Sequence, residues 1–230
     1  MLVDRHVVAK IINAAELCEN EEVLEVGTGK GVLTQELCKV ARHVSSYEVD
    51  KKLYLETKER LPFLNLELIN KDPFKLNESQ FDVFVSNLPY SRSRDAFQWL
   101  ATQKFDRAIM MVQEEFADKL TARPGSNNYR AISALASYCF TIEKLFIVDR
   151  HSFRPRPKVV SIVLRITHAN TVTKETVKAL NLLFSKRNKK ASVVTSKAGL
   201  DMDFNARRID QLTPKELIII SESTSNVCSI

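Results

Sequence analysis

Long apolar runs are missing from this chain: no segment approaches the length of a membrane span, so neither a transmembrane helix nor a membrane partner is expected. Metal-ligand spacing is missing too. The four cysteines, Cys18, Cys38, Cys139 and Cys228, are scattered, and His6, His43, His151 and His168 show neither ligand nor triad spacing. No metal site is therefore expected, and the cysteines read as reduced, mostly buried thiols of a cytoplasmic protein. A secretory leader is also lacking. "MLVDRHVVAKIINAAELCEN" carries charges inside its apolar pattern and has no small-residue cleavage site, so it reads as a helix. Internal repeats and low-complexity tracts are absent as well.

What is present suits one fair-sized domain, or one with a small appendage: 230 residues, 44% of them hydrophobic. Charge is unevenly spread. Residues 1–150 hold 20 Lys and Arg against 22 Asp and Glu, whereas residues 151–230 hold 14 against 6. A basic C-terminal third on a near-neutral body suggests a polyanionic partner, with a merely solvated surface as the alternative.

The first two-thirds alternates β-rich runs with amphipathic stretches. "EVLEVG" leads into helical "KGVLTQELCKVA", and "HVSSYEVD" into "KKLYLETKERL". Then come "NLELIN", "FDVFVSN", a helix near Asp95–Thr102, and "RAIMMVQ". Strands interleaved with helices predict a parallel sheet covered on both faces. "LFIVD" and "VVSIVLRIT" read as closing strands, the second antiparallel through "FRPRPK". The pattern then turns helical and polar, in "KETVKALNLLFSKRNKK" and "PKELIII". The expected division is residues 1–168, an α/β cofactor-binding domain, and residues 169–230, a small basic helical domain.

"LEVGTGKGVL" places Gly27, Gly29 and Gly31 at the exit of the first strand, where glycines let the backbone approach a ligand closely. Glu48 follows Gly27 by 21 residues and ends the second strand, where a carboxylate can accept from both ribose hydroxyls. A dinucleotide site would call for glycine at position 32. Val32 stands there, which turns the reading toward S-adenosylmethionine. Asp72, in "NKDPF" after the third strand, can accept from an adenine amino group. Glu25 lies inside the first strand and needs a partner if buried; orienting the glycine loop or the methionine end of the cofactor would be its role.

Ligands of open α/β sheets sit beyond the carboxyl ends of the strands. There, after the fourth strand, stands "SNLPY". The Asn87 side-chain oxygen and the backbone carbonyls beside Pro89 can accept both N–H bonds of an exocyclic amine. That localises the lone pair the ring had delocalised and aims it at a sulfonium methyl. Tyr90 would stack on the base, and its face favours a nearby cation. This is catalysis by positioning and charge stabilisation. The competing reading is a plain turn.

Together these residues resemble the ribosomal RNA adenine N6,N6-dimethyltransferases, the KsgA family with its archaeal and eukaryotic relatives. "LEVGTGKGVLT" is similar to the family's cofactor loop, "YEVDKKL" to its ribose segment and "NLPY" to its catalytic motif. "MMVQEEFADKLTARPGSNNYRAIS" and "HSFRPRPKVVSIVLRI" resemble two further signatures. The resemblance implies a Rossmann-like class I methyltransferase sheet with a small C-terminal helical domain. It implies that Gly27, Glu48, Asp72 and Asn87 contact S-adenosylmethionine, with Asn87, Leu88, Pro89 and Tyr90 at the target adenine. Phe153 matches the aromatic that sandwiches the flipped base against the tyrosine. The implied reaction puts two methyl groups on each of two neighbouring adenosines near the 3′ end of small-subunit rRNA, in an immature ribosomal particle. A monomer is expected.

The chain departs from the family in three places. Of the family's "GQxFL" stretch only Leu2 has a match, so weaker cofactor binding is expected than in a relative that carries it. After Tyr90, where the family has a small and then an apolar residue, "SRSR" supplies Arg92 and Arg94. These either grip RNA phosphates or form a helix's polar face beside Asp95. In the C-terminal segment Lys186, Arg187, Lys189 and Lys190 resemble a basic stretch of the family, and Arg207 and Arg208 add charge; RNA contact is the reading. The alternatives are the antibiotic-resistance branch, which methylates a large-subunit adenine and has isoleucine where Leu88 stands, a non-catalytic assembly factor, and a DNA adenine methylase, whose motif Leu88 breaks.

Overall fold

The computed structural model describes residues 2–76, 80–196, 204 and 206–227, so Cys228 lies outside the described residues. In chain order the elements are α1 (Arg5–Ala15), β1 (Glu22–Val26), α2 (Val32–Leu37), β2 (His43–Tyr47), α3 (Lys51–Arg60), β3 (Leu66–Ile69), β4 (Val83–Ser86), α4 (Ser93–Leu100), β5 (Arg107–Gln113), α5 (Glu114–Leu120), α6 (Ala131–Cys139), β6 (Phe140–Val148), β7 (Ser161–His168), α7 (Lys174–Phe184), α8 (Ala191–Ser196) and α9 (Pro214–Val227).

The strands form one sheet in the order β3-β2-β1-β4-β5-β7-β6. β3, β2, β1, β4 and β5 run parallel, and β7 pairs antiparallel with β5, as its sequence suggested. The chain winds outward from β1 to β3 and then returns to place β4 on the other side of β1. The loops leaving β1 and β4 therefore diverge at their carboxyl ends, which opens the crevice where such sheets bind ligands. On one face Val23, Val83, Val85, Ile109, Met111 and Val163 form a core with Val8 and Ile11 of α1 and Leu33 and Leu37 of α2. Leu24, Phe84, Ala108, Met110 and Leu164, on the opposite face, are buried as well. Burial on both faces is why these strands read as continuous apolar runs rather than alternating ones.

Local chemistry explains the helix ends. Asp4 caps α1 by accepting from the His6 and Val7 N–H groups at 2.9 and 3.3 Å. At the other end Arg107 donates to the Ala15 carbonyl at 2.7 Å and binds both oxygens of Glu21 at 2.8 Å. That guanidinium holds the Glu21 carboxyl below its ordinary range. The helix expected from Lys30 starts later, at Val32, because Gly31 takes a left-handed φ of 65° as its N-cap.

The chain divides into two compact units. The first comprises Met1–Asp95, Gln103–Glu114 and Ile142–His168, and the second Ala96–Thr102, Glu115–Thr141 and Ala169–Ile230. The second unit thus takes in two internal segments besides the C-terminal one. In it the Tyr129 ring is buried edge-on to Phe184, centroids 5.7 Å apart, and its hydroxyl donates to the Leu212 carbonyl at 3.2 Å. Helices α5 and α6 were not legible in the sequence. Ala131–Ala136 of α6 are all buried, which leaves no polar face to mark a helical period. Of the described cysteines, Cys38 and Cys139 are buried and Cys18 is exposed. Burial pushes the Cys38 and Cys139 thiols up to about 12. Among the described residues no helix is long and apolar enough to cross a membrane.

Candidate cofactor and catalytic site

Beyond the carboxyl ends of β1, β2 and β4, within the first unit, lies a cavity of about 560 Å³. Gly27, Glu48, Asp72, Asn87, Tyr90 and Phe153 all line it. Its size falls within the range of small-molecule cofactor sites. The glycine loop is fixed on two sides. Gly27 N–H donates to the Tyr47 carbonyl at 2.9 Å, and Gly29 N–H donates to Glu48 Oε2 at 2.8 Å. Gly27 has a φ of 88°, and a Cβ there would lie 3.4 Å from Leu88 Cδ2 and 3.7 Å from the Asn87 carbonyl oxygen. The loop and the Asn-Leu-Pro-Tyr turn therefore touch.

Glu48 also accepts from Asp50 N–H through Oε1 at 2.9 Å. Each carboxylate oxygen keeps a second lone pair, enough for a ribose diol. Glu25, 1% exposed, is paired as a buried acid must be. Its Oε2 accepts from Thr34 and Ser46 hydroxyls, each at 2.6 Å, and Ser46 in turn meets Thr28 at 2.6 Å. Ser46 reaches it because the β1–β2 register sets the two residues side by side. Burial raises the Glu25 carboxyl to about 7, against the lowering effect of the two hydroxyls.

Asp72 caps a short 3₁₀ turn by accepting from Phe74 N–H at 3.1 Å. It also takes the Arg92 guanidinium, whose NH2 lies 3.0 and 3.2 Å from its two oxygens. Arg92 packs over the Phe74 ring at 5.1 Å, and its Nε lies 3.0 Å from Asp95 Oδ2 without hydrogen-bond alignment. Arg92 and Phe74 both line the cavity. Arg94, two residues on, is exposed and has no partner among the described residues.

In the Asn-Leu-Pro-Tyr turn Leu88 is buried and Pro89 exposed. The Asn87 side chain has no hydrogen-bond partner among the described residues, which leaves both ends of its amide to a ligand. Tyr90 is held through its hydroxyl, 2.5 Å from Ser161 Oγ at the start of β7. Leu2 and Phe153 form a backbone bridge, and Val3 N–H donates to the Ser152 carbonyl at 2.9 Å. Two residues 151 positions apart in sequence thus form adjacent parts of the cavity wall.

A profile of the ribosomal RNA adenine dimethylases matches residues 1–205. The chain belongs to that family. It is 32% identical over 230 residues to the ribosomal RNA small subunit methyltransferase A of Thermotoga maritima, an alignment covering 96% of this chain and 81% of the relative. Among solved structures it resembles a dimethyladenosine transferase from Plasmodium falciparum, with a TM-score of 0.78, 25% identity, and 96% and 95% of the two chains covered. It also resembles the 23S rRNA methyltransferase ErmE, with a TM-score of 0.66, 25% identity, and 97% and 99% covered. Family membership makes the chain an S-adenosylmethionine-dependent methyltransferase of the class I, Rossmann-like fold.

The cavity of this family member fits that cofactor. Glu48 and Asp72 present carboxylate lone pairs, Gly27 leaves room for the backbone to approach, and the Asn87 amide is unpartnered.

Of the basic residues named from the sequence, Arg92 and Arg94 lie in the first unit, and those of the C-terminal segment lie in the second, where two stretches meet. Lys190 and Arg208 form a backbone bridge, Ala191 N–H donates to the Arg207 carbonyl at 2.8 Å, and Ile209 N–H donates to the Lys189 carbonyl at 3.1 Å. Lys186, Lys189 and Lys190 are exposed, Arg187 is half-buried, and none has a side-chain partner among the described residues. Arg207 is instead bound to Glu216 at 2.6 Å, and Arg208 lies 3.0 Å from Asp210. The structure adds the 121–128 loop to this group: Gly125 N–H donates to the Asp210 carbonyl at 2.7 Å, and the loop carries exposed Arg123. Nothing local in "TARPGSNN" announces that placement.

Proposed function

We propose that this chain dimethylates N6 of two neighbouring adenosines near the 3′ end of small-subunit rRNA, acting as a cytoplasmic monomer on an immature particle. The Asn87 side chain, unpartnered among the described residues, carries the reading, because Asn87 lines the cavity beside the glycine loop, its backbone carbonyl oxygen 3.7 Å from where a Cβ on Gly27 would lie. The name of the Thermotoga relative supports the substrate class.

Bound in the cavity, S-adenosylmethionine supplies an electrophilic methyl group on a sulfonium. The chain's own part is orientation and charge. The Asn87 side-chain oxygen and the carbonyls beside Pro89 accept the two N–H bonds of the adenine amine and localise its lone pair. Tyr90, braced by Ser161, offers its face to the extruded base, and Phe153 faces the same cavity. No covalent intermediate is needed; the rate comes from positioning and from carbonyl dipoles that stabilise the charge developing on nitrogen. In the second unit Lys186, Arg187, Lys189 and Lys190 meet the RNA backbone, beside Arg207 and Arg208, which acids hold; in the first unit Arg94 does so.

The test is transfer of labelled methyl groups to small subunits lacking the modification, followed by nucleoside analysis, with Asn87→Ala alongside. Dimethyladenosine formed by the parent and absent in the variant is the expected result. The likeness to ErmE favours a second reading, methylation of a large-subunit adenine. Label appearing only on large-subunit RNA would replace the first reading with it.

A further inference from the structure

Arg92 follows the Asn-Leu-Pro-Tyr turn by two residues and lines the cofactor cavity. Three contacts fix it there: the Asp72 carboxylate at 3.0 and 3.2 Å, the Phe74 ring at 5.1 Å, and Asp95 Oδ2 at 3.0 Å. A carboxylate on a largely apolar wall is costly without a partner, and an unrestrained one samples several rotamers. Arg92 supplies the partner and also limits the rotamers. One of its NH2 groups serves both Asp72 oxygens, so lone pairs remain for a ligand donor.

Arg92 also belongs to the short turn Tyr90–Arg92 that follows the catalytic motif, closed by its own N–H on the Pro89 carbonyl at 2.8 Å. One side chain thus ties the loop after β3 to the turn after β4. The two loops come from strands that are not neighbours in the sheet.

We infer that Arg92 is a positioning residue of this chain's cofactor site: it orients Asp72 for the adenine amino group and links that anchor to the turn carrying Asn87 and Tyr90. The inference rests on the reading that the cavity holds the adenosyl group. It departs from the RNA-phosphate role that the sequence suggested for this arginine, and leaves that role to Arg94.

S-adenosylhomocysteine binding by calorimetry, with no RNA present, tests it on the full chain as wild type, Arg92→Ala, Arg92→Lys, Asp72→Asn and the Arg92→Ala/Asp72→Asn double variant. Thermal melts check that each folds. Arg92→Ala is expected to weaken binding by about tenfold, and Arg92→Lys to recover part of the loss. The double variant is expected to bind no more weakly than Asp72→Asn alone, because both changes remove one interaction. In turnover, KM for the cofactor rises while the salt dependence of RNA binding stays unchanged. Wild-type affinity in Arg92→Ala, additive losses in the double variant, or a reduced RNA salt slope overturns the inference. Failure of the wild type itself to bind S-adenosylhomocysteine overturns the cavity reading beneath it.

Discussion

Glu25, Glu48 and Asp72 meet the cavity with hydrogen bonds already made, whereas Lys186, Arg187, Lys189 and Lys190 extend from the second unit with no partner among the described residues. Both groups are charged, and both read as binding residues from the sequence. Their difference follows from what each would bind. A small cofactor must be held to within fractions of an ångström, so its acids are oriented during folding rather than at binding. A nucleic-acid backbone is a line of equivalent charges, and flexible cations that stay hydrated until contact can follow it. Arg207 and Arg208, held by Glu216 and Asp210, show that the second unit also restrains cations when they sit against acids.

Substitutions sharpen the comparison. The largest effect belongs to Asn87, a cavity residue whose side chain has no partner among the described residues. Asn87→Ala is expected to lower kcat about 10²- to 10³-fold, the usual cost of removing a group that stabilises developing charge. Affinity for S-adenosylhomocysteine, read by calorimetry, should move far less. A collapse of both together would mean that Asn87 is part of the prefolded set.

Glu25 comes next. Burial raises its carboxyl from 4.5 to about 7, so the folded protein keeps a proton that the unfolded chain has released. Its contribution to stability is therefore greatest at low pH and is lost as pH rises from about 4.5 to 7. The loss is on the order of 2–3 kcal/mol, and Glu25→Gln should flatten it. Denaturant titrations at pH 5 and pH 8 read the difference. An unchanged slope between the two pH values in the glutamine variant would show that Glu25 is not the titrating group.

Gly31→Ala should cost about 1–2 kcal/mol of stability, because alanine resists the left-handed region. Its Cβ would also approach Leu61 Cδ1 to 2.6 Å, a contact that a shift of the flexible leucine can relieve. Thermal unfolding of the variant measures it. The smallest effect lies on the basic surface. Removing Lys189 and Lys190 together should reduce the salt slope of RNA binding by about 1–2 and leave cofactor affinity untouched. An equal loss for cofactor and RNA would erase the distinction between the two regions.

Much of the site was legible because it is written in short local segments. The glycine loop, Glu48 at the end of β2, Asp72 after β3 and the Asn-Leu-Pro-Tyr turn after β4 each follow a strand, and a parallel sheet brings all such exits to one edge. Arg92 was not legible in the same way. Its neighbours in sequence offered Asp95, 3.0 Å away in the structure, but its side-chain hydrogen bonds go to Asp72, across 20 residues and a strand crossover. The Glu25 network was half legible: a buried acid demands partners, yet Thr34 and Ser46 reach it only through the α2 packing and the β1–β2 register.

The sequence by itself determined the strand and helix alternation, the cofactor class and the place of the Asn-Leu-Pro-Tyr turn, since periodicity, glycine placement and a compact motif act over a few residues. Only the tertiary structure decided which charges are already spent. It set Arg92 on Asp72, Leu2 beside Phe153, and the 121–128 loop against the segment that carries Arg208. Each of those pairings joins residues distant along the chain. Hydrogen bonds and ion pairs act over a few ångströms, so which partners meet is settled by the packing of the whole chain and leaves no local signature in the letters.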